Sequence, residues 1–122
     1  MSLRIMVVDD ALFMRNMIKD IFTRAGYEVV AEAENGEIAV ESYQDVKPDL
    51  VTMDIVMPKK SGIEALQDIM ALDPDACIVM VSALGQDSLV LEAVESGAKD
   101  FIVKPFKEDK VLEIVRRITG QA

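Results

Sequence analysis

Several residue types that carry common protein chemistry are scarce or missing in this chain of 122 residues. There is no histidine, which excludes a histidine general base, metal ligand or phosphate carrier. The one cysteine, Cys77, cannot form an internal disulfide, and its position in an apolar run predicts an inert core residue. Tryptophan is absent too, so indole fluorescence cannot report on ligand binding.

Long apolar runs and an excess of basic residues are also absent. No run approaches the roughly 20 apolar residues that cross a bilayer. Because residues 1–4 lead straight into a strand pattern, we expect no signal peptide, no membrane insertion and a cytoplasmic protein. The net charge of −9 argues against binding to nucleic acid or anionic membranes. Solubility is our interpretation of five glutamates in this excess: Glu28, Glu32, Glu34, Glu37 and Glu41.

The residues that are present have the composition of one folded domain. Hydrophobic residues make up 51% of the chain and charged residues 29%, which excludes wholesale disorder. The length suffices for one core, and no linker, repeat or low-complexity segment divides it. We therefore expect a single domain over residues 1–122 with no output domain. Eight methionines are many for this length, and we expect most of them to fill the core.

Strand and helix patterns alternate along the whole chain. Four nearly continuous apolar runs predict strands buried on both faces, and a weaker run at Val29-Val30-Ala31 predicts a second strand nearer an edge. Five strands and five helices in strict alternation imply an α/β fold of the (βα)5 type. Right-handed crossovers then place helices on both faces of a doubly wound parallel sheet. The four buried runs are residues 3–8, 50–53, 77–81 and 101–103.

Helical spacing predicts which side chains face the core. In the first helix, these include Met14, Met17 and Ile18, and in the fourth they are Val90, Ala93 and Val94. Ser61 and Glu64 form a capping-box pattern that predicts the start of the third helix.

Polar side chains close the apolar runs of four predicted strands. Asp9 and Asp10 follow the first run, and Asp54, Ser82 and Lys104 end or follow three others. In an open parallel sheet, ligands bind outside the carboxyl ends of the strands. Three carboxylates, a hydroxyl and an ammonium at one sheet edge are suited to a divalent metal and an anion.

The chemistry of this predicted site favours phosphoryl transfer. Like charges this close repel unless a cation intervenes, and Mg2+ binds carboxylates together with phosphate oxygens. A carboxylate can accept the phosphoryl group as an acyl phosphate. Asp54 is the candidate nucleophile because it stands alone at a strand end before a loop. The simpler alternative for any one of these aspartates is a helix N-cap, and it is strongest for Asp10.

Four motifs in order at the strand ends identify a family. The chain resembles response-regulator receiver domains over its whole length, most closely the stand-alone chemotaxis regulators. The resemblance implies a flavodoxin-like fold with the strand order 2-1-3-4-5, for which this family is already known. The motifs are Val7-Val8-Asp9-Asp10, Met53-Asp54-Ile55-Val56-Met57-Pro58, Ser82-Ala83 and Asp100-Phe101-Ile102-Val103-Lys104-Pro105-Phe106.

The resemblance also implies roles for the site residues. Asp54 would accept a phosphoryl group from a histidine kinase of the CheA type. Asp9, Asp10, Asp54 and the Val56 carbonyl would hold Mg2+. Ser82 and Lys104 would contact the phosphoryl oxygens, and the bond from Lys104 to its proline would be cis. The protein would be a signalling switch that catalyses its own phosphorylation and dephosphorylation, not an enzyme.

Transmission of the signal is a further implication. Ser82 would move toward the phosphoryl group, and Phe101 would turn inward, although a static core aromatic is the simpler interpretation of Phe101. The face formed by the fourth helix, the fifth strand and the fifth helix would then bind a flagellar motor switch or an archaeal motor adaptor, and a phosphatase is a further candidate partner. Consecutive apolar residues at 89–91 put at least one side chain outward on this face.

Four positions suggest how the switch is tuned. Many family members have threonine at the position of Ser82 and tyrosine at that of Phe101, so both differences can shift the switching equilibrium. Val56 and Leu84 flank the expected path of the attacking water, and neither side chain can orient a water. We therefore expect a relatively long-lived phosphoryl form.

Three alternative functions concern the same residues. A haloacid-dehalogenase-type phosphatase, an aspartyl-phosphate hydrolase, normally has a second Asp two residues after its nucleophile, where this chain has Val56. A flavodoxin-type electron carrier needs a glycine- and hydroxyl-rich loop where this chain has residues 9–13, Asp-Asp-Ala-Leu-Phe. A phosphorelay intermediate or phosphate sink would share every site residue, and it remains open.

Overall fold

A computed structural model describes residues 2–120 of the chain. Met1, Gln121 and Ala122, which the predicted domain includes, lie outside the described residues. Strands and helices alternate as predicted, and all five strands pair in parallel in the order β2-β1-β3-β4-β5. The predicted fold and strand order are confirmed. The elements are β1 (Arg4–Val8), α1 (Leu12–Arg24), β2 (Glu28–Ala33), α2 (Gly36–Val46), β3 (Leu50–Asp54), α3 (Gly62–Leu72), β4 (Ile78–Ala83), α4 (Asp87–Glu95), β5 (Asp100–Lys104) and α5 (Glu108–Thr119).

Side chains alternate between the two faces of the sheet and build two apolar layers. On one face, Ile5, Val7 and Val79 pack with residues of α1 and α5. On the other face, Met53 and Met80 pack with residues of α2, α3 and α4. Whether two residues of a strand are an odd or an even number of positions apart therefore decides whether their side chains enter different layers or the same one. The same alternation orients the polar residues at the strand ends. Within residues 2–120, no helix is both long and apolar enough to cross a bilayer.

Two helical positions differ from the predicted core stripe. Met17 and Val94 were predicted to face inward, but both are exposed, and Val94 keeps 45% of its accessible surface. Each residue advances a helix by about 100°. Ala93 is the buried centre of α4, so Val94 is turned about 100° from it and leaves the core. Of residues 89–91, Leu89 and Val90 pack against the core and Leu91 is exposed, as the consecutive apolar run predicted.

Cys77 lies just before β4 and is half-buried, one residue earlier than the strand begins. Burial raises the pKa of its thiol, which favours the unreactive protonated form, in agreement with the predicted inert role.

Glycines allow two helices to begin directly against the loop that follows β3. The backbone N–H of Gly62 donates to the carbonyl of Ile55 at 2.8 Å, and that of Gly36 donates to Lys60 at 3.0 Å. A Cβ on Gly62 would overlap the carbonyl oxygen of Asp54, and one on Gly36 would overlap that of Lys60. The predicted capping box then fixes the start of α3, with Ser61 Oγ accepting from the Glu64 N–H at 3.2 Å.

We expect Gly62→Ala to lower the free energy of unfolding by about 3 kcal/mol or more, because the new methyl group overlaps backbone that packing holds in place. Urea unfolding measures the loss. Gly26→Ala is the control: φ there is +89°, and a Cβ would meet no atom within 4 Å, so only backbone strain of about 1 kcal/mol is expected. Equal losses in the two variants would contradict the prediction.

Candidate functional site

Side chains from three strand ends meet at the carboxyl edge of the sheet. Side chains two residues apart on a strand point to the same face of the sheet. Asp9 therefore lies on the same face as Val7, Asp54 on that of Leu50 and Lys104 on that of Ile102. All three belong to the α1/α5 face. The long side chain of Lys104 reaches past β4 to the other two. Its Nζ lies 3.1 Å from Asp9 Oδ2 and 3.6 Å from Asp54 Oδ2. The structure thus brings together the predicted carboxylates and the predicted lysine.

The carboxylates of Asp9, Asp10 and Asp54 form one cluster. One oxygen from each lies within 4.8 Å of the others, with Asp9 and Asp54 buried and Asp10 exposed. The pKa of Asp54 is raised to about 6, first by burial and then by the negative charge of Asp9, while the ammonium of Lys104 acts in the opposite direction. Excess negative charge held by hard oxygen atoms is the donor set that suits Mg2+. The cluster is therefore compatible with a magnesium site.

The two adjacent aspartates have different local roles. Asp10 was a candidate N-cap of α1, but the N-cap is Ala11, whose side chain makes no capping bond. The N–H of Ala11 donates instead to Asp9 Oδ1 at 2.9 Å. The N-cap interpretation of Asp10 is therefore wrong. One oxygen of Asp9 accepts from the turn and the other accepts from Lys104. Asp10 makes neither contact and is exposed to solvent.

Arg15 supports this turn from α1, and sequence reasoning did not identify it. Its Nη1 donates to the carbonyl of Asp9 at 2.8 Å, and its Nε donates to Glu32 at 2.8 Å. Lys19 also binds Glu32, at 2.7 Å, and the hydrogen bonds from Lys19 and Arg15 lower the pKa of Glu32. Glu32 is thus more than the solubilising residue that we expected. Two basic residues four positions apart on α1 were the available signal, but the sequence does not show which acid they meet.

Ser82 lies near the end of the strand next to that of Asp54, but its side chain is turned away from this cluster. Parity with Met80 places its side chain on the opposite face of the sheet. Its hydroxyl is buried, and it has no hydrogen-bond partner among residues 2–120. It lines a cavity of about 240 Å³ with Leu84, Val90 and Phe101. A buried hydroxyl without a partner costs free energy, so this side chain gains from any movement that supplies one.

Phe101 is not a buried core aromatic, because 38% of its surface is exposed. It lies between the Ser82 cavity and a second groove of about 370 Å³, formed by β5 and α5. Pro105 and Phe106 contribute apolar surface to this groove, and the bond from Lys104 to Pro105 is cis. Three cationic side chains also line the groove: Lys107, Lys110 and Arg117.

The apolar residues expected beside the reacting centre lie in the two loops that follow β3 and β4. Val56 is 56% exposed and Leu84 is 77% exposed. Both side chains are therefore accessible from solvent and carry no polar atom.

The chain is similar to chemotaxis regulators over nearly its whole length. A family model described as the response regulator receiver domain matches residues 5–116. The chain is 55% identical to chemotaxis protein CheY of Thermotoga maritima over 119 residues, which cover 98% of this chain and 99% of the relative. It is 59% identical to chemotaxis protein CheY of Bacillus subtilis over 117 residues, covering 96% and 98%. A chain of the CheX-CheY-BeF3-Mg2+ complex of Borrelia burgdorferi superposes with a TM-score of 0.91 at 41% identity, covering 95% of this chain and 88% of that one.

The raised pKa of Asp54 predicts a pH-dependent gain in stability for Asp54→Asn. The folded protein holds this proton up to about pH 6, whereas an unfolded Asp releases it near its model value of 3.8, so wild-type stability falls as pH rises between these values. With a chelator present, Asp54→Asn should raise the free energy of unfolding by about 1–3 kcal/mol at pH 7.5 and by little below pH 4. Thermal unfolding across this range measures the gain.

Asp45→Asn, at an exposed position on α2, is the control and should show no such pH trend. A gain for Asp54→Asn that stayed constant from pH 4 to pH 7.5 would mean that ionisation of the buried Asp54 carboxyl is not its cause.

Proposed function

Since the chain belongs to the response regulator receiver domain family, we propose that it is a phosphorylation-activated switch of chemotaxis signalling with Asp54 as the phosphoacceptor. One observation supports this above the others. Lys104 lies against two buried carboxylates, Asp9 and Asp54, at the edge of the sheet where ligands bind. CheY-like receivers are signalling switches and not enzymes of the usual kind.

Asp54 has the position and protonation of a nucleophile. With a pKa of about 6, the Asp54 carboxyl is ionised in most molecules near pH 7. In the proposed step, an Asp54 oxygen attacks the phosphorus of a phosphohistidine on a kinase of the CheA type. The P–O bond forms as the P–N bond breaks, and the imidazole leaves with the electron pair and takes a proton from solvent. Lys104 would contact the transferred oxygens.

The proposed metal residues are Asp9, Asp10, Asp54 and the backbone carbonyl of Val56. Bound Mg2+ would supply positive charge that offsets the carboxylates and the phosphoryl oxygens. The turn that presents Asp9 is held by its bond to Ala11 and by Arg15.

Transmission would start at Ser82. Its unpartnered hydroxyl gains a hydrogen-bond acceptor if it turns toward a phosphoryl group on Asp54. The cavity beside it has space for Phe101, whose ring is now partly in solvent. Inward rotation of Phe101 would change the shape of the face formed by α4, β5 and α5.

The groove on that face suggests what kind of target binds. Its lining is largely apolar, and it carries two lysines and an arginine together with one acid, Asp100, which is ion-paired with Arg117. A partner segment with acidic and apolar side chains would complement it. We propose a motor switch or motor adaptor protein as the target, with the switch acting in the cytoplasm. A CheX-type protein is a further candidate, because a similar CheY forms a complex with CheX.

Incubation with acetyl phosphate tests the phosphoacceptor. We expect intact-mass spectrometry to detect one phosphoryl adduct on the wild type with Mg2+, none without Mg2+ and none on Asp54→Asn. Asp45→Asn should behave as the wild type does. An adduct that persists on Asp54→Asn would rule out this assignment. If the phosphorylated protein binds no target and returns its phosphoryl group to the kinase, the chain is a phosphate sink.

The decay of the adduct tests the role of the exposed apolar pair. Replacing Val56 with Asn and Leu84 with Glu places polar groups where an attacking water could be oriented. We expect the double variant to lose its phosphoryl group about 10-fold faster or more, measured as the decay of the adduct mass after donor removal. An unchanged decay rate would show that these side chains do not set the lifetime.

A further inference from the structure

One side chain closes the loop between β4 and α4. The backbone N–H of Ala83, the first donor after Ser82, donates to Oε1 of Gln86 at 2.7 Å. The register of the sheet pairs Ala83 with Lys104, the cation that contacts Asp9 and Asp54. The donor held by Gln86 therefore belongs to the same sheet edge as the proposed phosphoryl site.

The local sequence explains why Gln86 can make this bond. Gly85 has a φ of +87°, a left-handed conformation that turns the chain back on itself. Gln86 then stands at the N-cap of α4, but its side chain makes no capping bond and returns to Ala83. The backbone carbonyl of Gln86 accepts from the N–H of Val90 at 2.9 Å, so Gln86 joins the end of β4 to the first turn of α4.

We propose that Gln86 is a positioning residue that holds this loop in the conformation of the unphosphorylated protein. The inference rests on the proposed function of Asp54. Ser82 projects to the opposite face of the sheet from Asp54, so we expect its turn toward Asp54 to move the strand end that carries Ala83. That movement breaks the bond to Gln86 and frees the Ala83 N–H for an anionic oxygen. The amide oxygen of Gln86 and the phosphoryl group thus compete for one donor.

The competition has a predictable size and sign. The bond to Gln86 stabilises only the unphosphorylated conformation, so its removal shifts the equilibrium toward the other one. The net value of a single hydrogen bond corresponds to about a 2- to 10-fold change. A charged acceptor forms a stronger bond than an amide does, so a carboxylate at position 86 shifts the equilibrium the opposite way.

Two variants separate this role from a general loss of structure. Gln86→Met removes the acceptor and keeps the side-chain length, whereas Gln86→Glu keeps an acceptor and adds charge. Gln67→Met is the matched control, because the Gln67 amide donates to Ser96 Oγ at 3.2 Å between α3 and α4, in a surface contact separate from this loop. Thermal unfolding and Mg2+ titration verify that each variant is folded and that its acidic cluster is intact.

The binding probe is beryllofluoride with Mg2+, titrated and followed by NMR. We expect the apparent affinity to rise about 2- to 10-fold in Gln86→Met, to fall in Gln86→Glu and to stay unchanged in Gln67→Met. Without beryllofluoride, the Ala83 amide should exchange its hydrogen faster in Gln86→Met than in the wild type. Its resonance should also shift toward the position it has in the wild-type beryllofluoride complex.

The outcomes distinguish two kinds of failure. If the wild type binds beryllofluoride and folded Gln86→Met binds it equally or more weakly, Gln86 does not hold the loop. Unchanged exchange of the Ala83 amide overturns the inference in the same way. If the wild type neither binds beryllofluoride nor forms a phosphoryl adduct, the proposed function fails, and the competition fails with it.

Discussion

The ammonium of Lys104 lies between two buried carboxylates, and the other groups of the site are placed around that contact. Burial raises the pKa of Asp54, and the single cation Lys104 cannot balance the charges of Asp9, Asp10 and Asp54. The turn that carries Asp9 is accordingly supported from both sides, by its bond to Ala11 and by the guanidinium of Arg15. These contacts hold an excess of negative charge at the site, which favours ligands that bring positive charge.

Strand β4 connects the two faces of the sheet. The carboxylates of Asp9 and Asp54 and the ammonium of Lys104 lie on the α1/α5 side, whereas Ser82 projects toward the α3/α4 layer and the cavity beside Phe101. One route from Asp54 to the partner face runs through the end of this strand, and a second runs through Lys104 on β5. The loop that follows β4 is therefore one point where chemistry and readout would be coupled, and Gln86 is the side chain that holds it.

The fold and the edge that carries the site were predictable because both depend on short-period patterns. Continuous apolar runs identified the strands, and the shared carboxyl edge of a parallel sheet predicted that Asp54 and Lys104 lie together. Patterns failed where long-range pairing decides. The contact of Arg15 with Glu32 joins α1 to an edge strand, and no local rule selects that partner. The prediction for Val94 was wrong because a short helix buries a narrower stripe of its surface than its apolar residues suggest.

The two loops beside the site differ in how freely they can change. Backbone atoms crowd Gly36 and Gly62, so neither position has space for a side chain, whereas Gly85 in the loop after β4 has open space but a left-handed backbone with a φ of +87°. In the second loop, we therefore expect substitutions to be tolerated at exposed Leu84 and not at Gly85. Because the chain has no tryptophan, an indole introduced at exposed Leu84 would be the sole emitter at its wavelength. The protein could then carry its own optical sensor of loop movement.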